Sequence, residues 1–460
     1  MLLAARILQE KRAPGSTLAW LMAIVLAPYV GVPLYLLIGG RKFSRNIHLI
    51  ERLYTPGAEK KDDPLVPAAG RIVSLAGFPA PRVNNHIVFH SSGETAFAAL
   101  LSLFEEARVS IHVSTFILGK DDTGRAIVEA LAKKAEEGVE VRLLLDSLGC
   151  LTTSRGFVQP IRDAGGEARR FLPVLPMQRK WSANLRNHRK IVVVDHVAAM
   201  VGGMNLATQF MGAEADPHRY VDDCVFLYGP AVYDIEEVFR HDWEFASGKH
   251  LPLPEGCLFP QTPQPLLNAM TEGLSAFHAV DQCMIQVVPS GPDVSEDTFH
   301  DALLTAIMEA EKRIWLMTPY FVPDASLLKP LALKARGGCD VRIIVPLRSN
   351  HGIADLARGP ALRELSAAGG AIYVCPAPMI HAKVMLFDHN LAITGSPNLD
   401  MRSIYLNFEI ALFHYTPGDL DVLEAWMRQI QLTCHMIRPQ QVSRRRAWAE
   451  NLSHLISPLL

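Results

Sequence analysis

The chain has 460 residues, with 45 Lys and Arg against 47 Asp and Glu, a net charge of −2 and 49% hydrophobic residues. That is material for two or three domains, and the balance lacks the strongly basic footprint of a nucleic-acid binder. Seven cysteines, widely spaced and without a C-x-x-C, argue against a disulfide framework or a zinc site and read as buried thiols in a reducing compartment.

Residues 17–40, TLAWLMAIVLAPYVGVPLYLLIGG, carry no charge and are long enough to cross a bilayer as one helix. Trp20, Tyr29 and Tyr35 suit the headgroup level. Pro28 and Pro33 leave a re-entrant hairpin as the alternative. A cleaved signal peptide fits poorly, because the apolar core is too long and no small-residue cleavage site follows. Arg6, Lys11 and Arg12 precede the run and Arg41, Lys42 and Arg45 follow it, so charge gives no orientation. Residues 1–45 therefore read as a membrane anchor and 46–80, charged and Pro/Gly-bearing, as a connector.

Two matching stretches follow. SSGETAFAALLSLFEEARVSIHVSTFIL and SEDTFHDALLTAIMEAEKRIWLMTPYFVP each read as a helix followed by a strand. TGRAIVEALAKKAEEGVEVRLLLDSLG and DASLLKPLALKARGGCDVRIIVPLRSN repeat that order, with a glycine break between helix and strand. The pattern is an internal duplication with α/β architecture, in halves at 81–250 and 281–440. The Pro- and Gln-rich stretch at 251–280 reads as a linker. Residues 441–460 carry Arg444, Arg445 and Arg446, then Trp448, Leu452, Leu455 and Ile456 at helical spacing. This is either a basic amphipathic tail at an anionic lipid surface or a terminal helix packed on its own domain.

Both halves lead to one string. NHRKIVVVDHVAAMVGGMN at 187–205 recurs as IHAKVMLFDHNLAITGSPN at 380–398. His188, Lys190 and Asp195 match His381, Lys383 and Asp388, each 193 residues on. Gly202, Gly203 and Asn205 match Gly395, Ser396 and Asn398. A lone copy would more often be structural; two copies, each with its turn and Asn, point to function. On an alternating strand, His and Lys share one side. With the halves related by a pseudo-two-fold axis, two His, two Lys and two Asn converge on one point suited to a phosphate diester. One imidazole attacks phosphorus and the other protonates the leaving alcohol. The lysines, Asn205 and Asn398 stabilise the non-bridging oxygens, with Ser396 counted beside them. Asp195 and Asp388 complete the repeated motif and stand as catalytic candidates, although simple alternation takes them off the His–Lys face, as structural or supporting groups. Protein cations supply the positive charge, and no dense carboxylate cluster at these strings suggests a two-metal site, so neither metal nor cofactor is expected.

A duplicated H-x-K-x4-D resembles the phospholipase D superfamily and, within it, bacterial membrane-anchored cardiolipin synthases. NLRNHRKIVVVDHVAAMVGGMNLATQF resembles that family's first motif. IHAKVMLFDHNLAITGSPNLDMRSIYLNFEI resembles its second, including Asn398, Arg402, Ser403, Asn407 and Glu409. TPYFVPD and DWEFASGK are also family-like. The resemblance implies two α-β-α halves packed face to face behind the N-terminal membrane segment. It implies a phosphohistidine intermediate that condenses two phosphatidylglycerols into cardiolipin and glycerol in the bacterial inner membrane. Nucleic acid is not an expected partner, and the oligomeric state is left open. It further implies a carboxylate orienting each histidine: Glu409 for His381, and Asp222, or the adjacent Asp223, for His188. Two departures are a first apolar segment reduced to MLLAARIL and Tyr220 where relatives often have Trp. Which histidine attacks stays open. Competing readings are a hydrolase releasing phosphatidic acid, a superfamily nuclease and a non-catalytic membrane scaffold; both intact His–Lys pairs weigh against the last.

Overall fold

The computed structural model describes Ile7 and residues 14–35, 52–54, 66–174, 184–252, 264–272, 279–294, 297–438 and 440–455. The N-terminal apolar run is not one crossing helix. Pro28 lacks the donor that would continue it, so α1 (Pro14–Leu26) stops and α2 (Pro28–Leu34) restarts with proline in its first turn. The two fold onto each other. A Cβ on Gly31 would come within 2.2 Å of the Ala23 carbonyl oxygen, and the Trp20 and Tyr35 rings meet edge to face at 5.4 Å. Among the described residues no helix is long and apolar enough to cross a membrane. Residues 36–40 of the run lie outside the described residues.

After α3 (Ala68–Leu75), the first half runs β1 (Arg82–His90), α4 (Gly93–Glu106), β2 (Ser110–Thr115), α5 (Asp122–Glu136), β3 (Glu140–Asp146), α6 (Gln159–Asp163) and β4 (Glu167–Phe171). It continues with β5 (Ile191–Val194), β6 (Ala198–Gly202), β7 (Cys224–Tyr228), α7 (Ala231–Ser247) and α8 (Gln264–Met270). Side-chain caps set the helix starts: Ser92 accepts from the Glu94 and Thr95 amides, and Asp121 from Gly124. The second half repeats the order: β8 (Ala279–Ser290), α9 (Thr298–Glu309), β9 (Arg313–Met317), β10 (Phe321–Val322), α10 (Ala325–Arg336), β11 (Asp340–Pro346), α11 (Gly352–Ala357), α12 (Gly359–Ala367) and β12 (Ala371–Cys375). Then come β13 (Val384–Phe387), β14 (Leu391–Gly395), β15 (Leu399–Asp400), α13 (Met401–Tyr405), β16 (Glu409–His414), α14 (Pro417–Thr433), β17 (His435–Ile437) and α15 (Arg444–Leu455).

Fifteen of the described strands form one sheet in the order β17-β12-β11-β9-β13-β14-β16-β8-β1-β7-β6-β5-β2-β3-β4, and β10 and β15 pair parallel as a separate ribbon. Reading outward from the centre, each half repeats the other. The halves join edge to edge through the antiparallel β1–β8 pair, not only face to face as expected. Unpaired edges invite a partner strand, and here each half's first strand covers the other's. Strands β2, β3 and β4 are parallel, as are β9, β11 and β12, and helices cross between them.

The expected connector and linker carry core structure. Ala69 and Val73 of α3 are buried, with α3 against α9. Leu266, Ala269 and Met270 of α8 are buried, with α8 against α4. The tail packs on its own domain: α15 lies on α11, and its wholly buried Glu450 meets Arg363 and Arg446. One thiol expectation fails. Cys375 and Cys434 are disulfide-bonded, because β17 returns antiparallel to β12 and sets them side by side; a separation of 59 residues hides that pairing in the sequence. Cys150, Cys224, Cys283 and Cys339 are buried thiols, and Cys257 lies outside the described residues.

Asp195 and Asp388 are turn anchors. Asp195 accepts the backbone N–H groups of Arg108, Val109 and Ser110 at 2.7–2.9 Å, and Asp388 those of Glu311, Lys312 and Arg313 at 2.8–2.9 Å. Both sit at positive φ, 52° and 45°, at the ends of β5 and β13 remote from the histidines. Asp195→Ala and Asp388→Ala each strand three backbone donors, so each should lower folding stability by about 1–3 kcal/mol. Urea melts of the full chain check this; an unchanged midpoint would count against the anchoring role.

Candidate active site

His188 and Lys190 lie in the extended segment entering β5, and His381 and Lys383 in the one entering β13. Each segment is bridged to the opposite half. The His188 N–H donates to the Phe408 carbonyl at 2.8 Å, and the Phe408 N–H to Arg186 at 2.9 Å. The His381 N–H donates to Val221 at 2.7 Å, and the Val221 N–H to Met379 at 2.9 Å. Phe408 leads directly into Glu409 and Val221 into Asp222. Each carboxylate therefore arrives beside the other half's ring: His188 Nδ1 is 2.8 Å from Glu409 Oε2, and His381 Nδ1 is 2.7 Å from Asp222 Oδ2. The expected pairing is reversed. It treated each half as complete, whereas the bridges cross between halves.

Glu409 is wholly buried and accepts two further bonds, from Ser396 Oγ at 2.5 Å and Asn407 Nδ2 at 3.1 Å. Ser396, expected beside the phosphate, is turned to Glu409 instead. Its hydroxyl donates to Glu409 and accepts the Ile410 N–H at 3.0 Å, and the residue is fully buried. In the first half Gly203 takes that place, where a Cβ would come within 2.2 Å of Asp222 Oδ1. Asp223, the other candidate, lies against the Lys383 N–H, not a histidine ring.

Lys190 Nζ donates to the His188 carbonyl at 2.7 Å. Lys383 Nζ bonds the His381 carbonyl and lies 2.8 Å from that ring's Nδ1. Between His188 and Lys190, the buried Arg189 meets Asp242 at 2.6 Å, Asp293 at 2.8 Å and the Glu409 carbonyl at 3.0 Å, tying the halves together. Asn205 accepts the Ile117 N–H at 3.1 Å, and Asn398 donates to Ser403 at 3.2 Å. Asn398 Oδ1 is buried without a hydrogen-bond partner among the described residues.

These groups surround a cavity of about 350 Å³, lined by His188, His381, Asn205 and Asn398. Its walls add residues whose roles the motifs did not reveal. Arg402, on the cavity wall, is held by the Asn184 carbonyl at 2.8 Å, and Tyr320 bonds Asn350. Phe116 and Phe210 pack edge-on to His188 and His381 at 4.9 and 5.0 Å. Arg402, Tyr320 and Phe210 lie in family-like strings but carried no assigned role, and nothing in the sequence marks Phe116.

Burial sets the electrostatics. It lowers His188 to about 4, with Glu409 opposing and Lys190 reinforcing; it lowers His381 to about 4, with Lys383 reinforcing and Asp222 opposing. Burial also brings Lys190 down to about 7 and lowers Lys383. Glu409 is pushed up by burial, but His188, Lys190 and Ser396 more than offset this, so it ends below its ordinary value; Asp222 does the same through Lys383 and His381. At neutral pH the rings are neutral and their carboxylates ionised. Each Nδ1–H then points at a carboxylate, leaving Nε2 as the available nitrogen. With Nδ1–H given to Asp222, Lys383 donates to the His381 carbonyl and not to the ring.

Two clusters elsewhere could each offer three ligand atoms to a metal. In one, Glu236 meets His112 at 2.7 Å and His196 at 3.5 Å; in the other, Asp242 and Asp293 of His241–Asp242–Asp293 are already engaged by Arg189.

Residues 100–243 and 303–431 match the family described as cardiolipin synthase, phospholipase D-like domain, and residues 1–40 match a phospholipase D–nuclease N-terminal family. Cardiolipin synthase 1 of Bacillus anthracis is 32% identical over 98% of this chain and 90% of its own. A Listeria monocytogenes cardiolipin synthase is 28% identical over 99% and 96%. The crystal structure of a Haemophilus influenzae phosphatidylserine synthase shares the fold, with a TM-score of 0.62 over 85% of this chain and all of that one, at 15% identity. With matches covering both halves and the N-terminus, the chain belongs to the phospholipase D-like cardiolipin synthase family.

Proposed function

We propose that this cavity transfers a phosphatidyl group from one phosphatidylglycerol to another, giving cardiolipin and glycerol. The observation that carries the proposal is the pair of histidines lining one cavity, each with Nδ1 held by a carboxylate of the opposite half. Nε2 of one ring attacks phosphorus and forms a P–N bond as the P–O bond to glycerol breaks; the other ring protonates the departing oxygen. A hydroxyl of a second phosphatidylglycerol then loses its proton to that ring and attacks phosphorus, and the P–N bond breaks. Lys190, Lys383 and Arg402 hold the charge on the non-bridging oxygens, with Asn205 and Asn398 beside them. Both rings are neutral at rest; the diester anion enters together with one proton from solvent, its charge favouring an imidazolium on the ring that acts as acid, while Lys190 keeps its proton beside the non-bridging oxygens. A lipid substrate and the paired apolar helices α1 and α2 support a location at the bacterial cytoplasmic membrane.

The direct test is purified protein in phosphatidylglycerol vesicles, with mass spectrometry of the lipids. Cardiolipin plus free glycerol is expected; phosphatidic acid alone would make the enzyme a hydrolase. His188→Ala and His381→Ala should each lower turnover by roughly a thousandfold or more, and the double variant should be little worse, because the rings act as a unit. Near-normal turnover in either variant would sink the assignment.

The pH dependence of kcat/KM should be bell-shaped. Activity rises as pH climbs through about 4, where the attacking ring loses its proton, and falls above about 7, where Lys190 loses its charge. An acid limb at the ordinary imidazole value, about 6.5, would contradict the burial argument.

Ser396→Ala separates support of Glu409 from phosphate binding. Loss of one hydrogen bond to a buried carboxylate should lower kcat by about tenfold or less and leave KM for lipid unchanged. A raised KM with normal kcat would return Ser396 to the phosphate.

A further inference from the structure

We propose that the cavity mouth carries a membrane-docking rim, in which loops of both halves and α15 set exposed apolar side chains into an anionic bilayer around the lipid entrance. The inference rests on the phosphatidyl-transfer reading and names the surface through which that site meets its substrate. Parallel strands β3 and β11 occupy equivalent places in the two halves, and the loop after each lines the cavity, through Leu148 in one and Asn350 and His351 in the other. The same loops expose leucines to solvent. Leu151 is 70% exposed, and Leu347 is exposed on the other side. Ile353, 45% exposed, stands on α11 between the cavity residues His351 and Ala354. On α11 packs α15, held by the buried Glu450, and α15 leaves Trp448 74% exposed with Leu452 one turn on. Large apolar side chains placed together around a cavity mouth mark an interaction surface.

Charge selects the occupant. The sole charged residue in the loop 147–158 is Arg155, and in 347–351 it is Arg348. Both are exposed, as are Arg444, Arg445 and Arg446 at the start of α15. The one acid on α15, Glu450, is buried. A chain with net charge −2 thus gathers arginine at this edge, interleaved with Leu, Ile and Trp. Arginine beside Trp and Leu is the composition of an interfacial lipid surface. Exposed apolar groups here would lower the cost of lifting a phosphatidyl headgroup out of the bilayer into the cavity.

The test uses the full-length protein with two substrates, long-chain phosphatidylglycerol in vesicles and dihexanoyl phosphatidylglycerol dispersed as monomers. Leu151→Asp with Ile353→Asp should lower kcat/KM at vesicles about tenfold or more, through loss of apolar burial in lipid, and leave monomer turnover unchanged. Leu333→Asp, an equally exposed leucine on α10 outside the rim, should change neither. A parallel fall on both substrates, or no fall on vesicles, overturns the rim. The second readout is fluorescence, taken as wild type minus Trp448→Phe. Trp448 emission should be quenched by brominated phosphatidylglycerol and not by brominated phosphatidylcholine. If the wild-type protein turns over neither substrate, the transfer reading falls, and the quenching alone judges the rim: quenching by the anionic lipid upholds it and its absence overturns it.

Discussion

The site depends on a contact that neither half makes alone, a histidine ring of one half against a buried carboxylate of the other. Each contact follows from a backbone bridge at the adjacent residues. The bridge fixes where the ring enters the cavity, and the carboxylate fixes which nitrogen faces it. Removing either ring would leave a buried carboxylate without one of its partners, which costs far more than an exposed ion pair returns. Catalytic geometry and attachment of the halves are therefore one interaction, and the continuous sheet through β1 and β8 keeps it in register.

Burial explains why so much charge is gathered there. Two rings, two lysines and two carboxylates share a low-dielectric volume, where each group's state is set by the others. Burial alone would neutralise them all. The carboxylates stay ionised because rings and lysines surround them, and the lysines stay close to titration because desolvation opposes their charge. A diester anion entering this volume adds negative charge beside the lysines and favours their charged form. Arg189 lies outside that exchange. Its two carboxylates and the Glu409 carbonyl hold it in place, so it is a fastening between halves.

The repeated strings made the site legible because histidine, lysine and asparagine kept their spacing across 193 residues. Alternation along the strand also warned that Asp195 and Asp388 leave that face, and the structure places both on backbone amides. Other features depend on contacts between segments far apart in sequence. Which carboxylate meets which ring is decided by Phe408 and Val221 crossing between halves, and Cys375 meets Cys434 only because β17 returns beside β12. The surroundings of Ser396 depend on the same kind of contact. A serine after a glycine turn resembles a phosphate ligand until the strand carrying Glu409 is laid beside it.

The duplication is not perfect, and some of its breaks fall at the site. Ser396 faces Gly203, Glu409 faces Asp222, and Arg189 has Ala382 as its counterpart. Gly203 and Asp222 belong together, since a side chain at 203 would collide with the carboxylate. Glu409 is one methylene longer and gains two donors, Ser396 and Asn407, so the ring it holds, His188, rests against a more fully bonded carboxylate than His381 does. In a two-step transfer the rings have unequal tasks: one bonds to phosphorus and the other moves a proton to one alcohol and takes it from the next. A symmetric site would hold both rings alike. Small exchanges around the carboxylates, made without moving either histidine, are sufficient to make them differ.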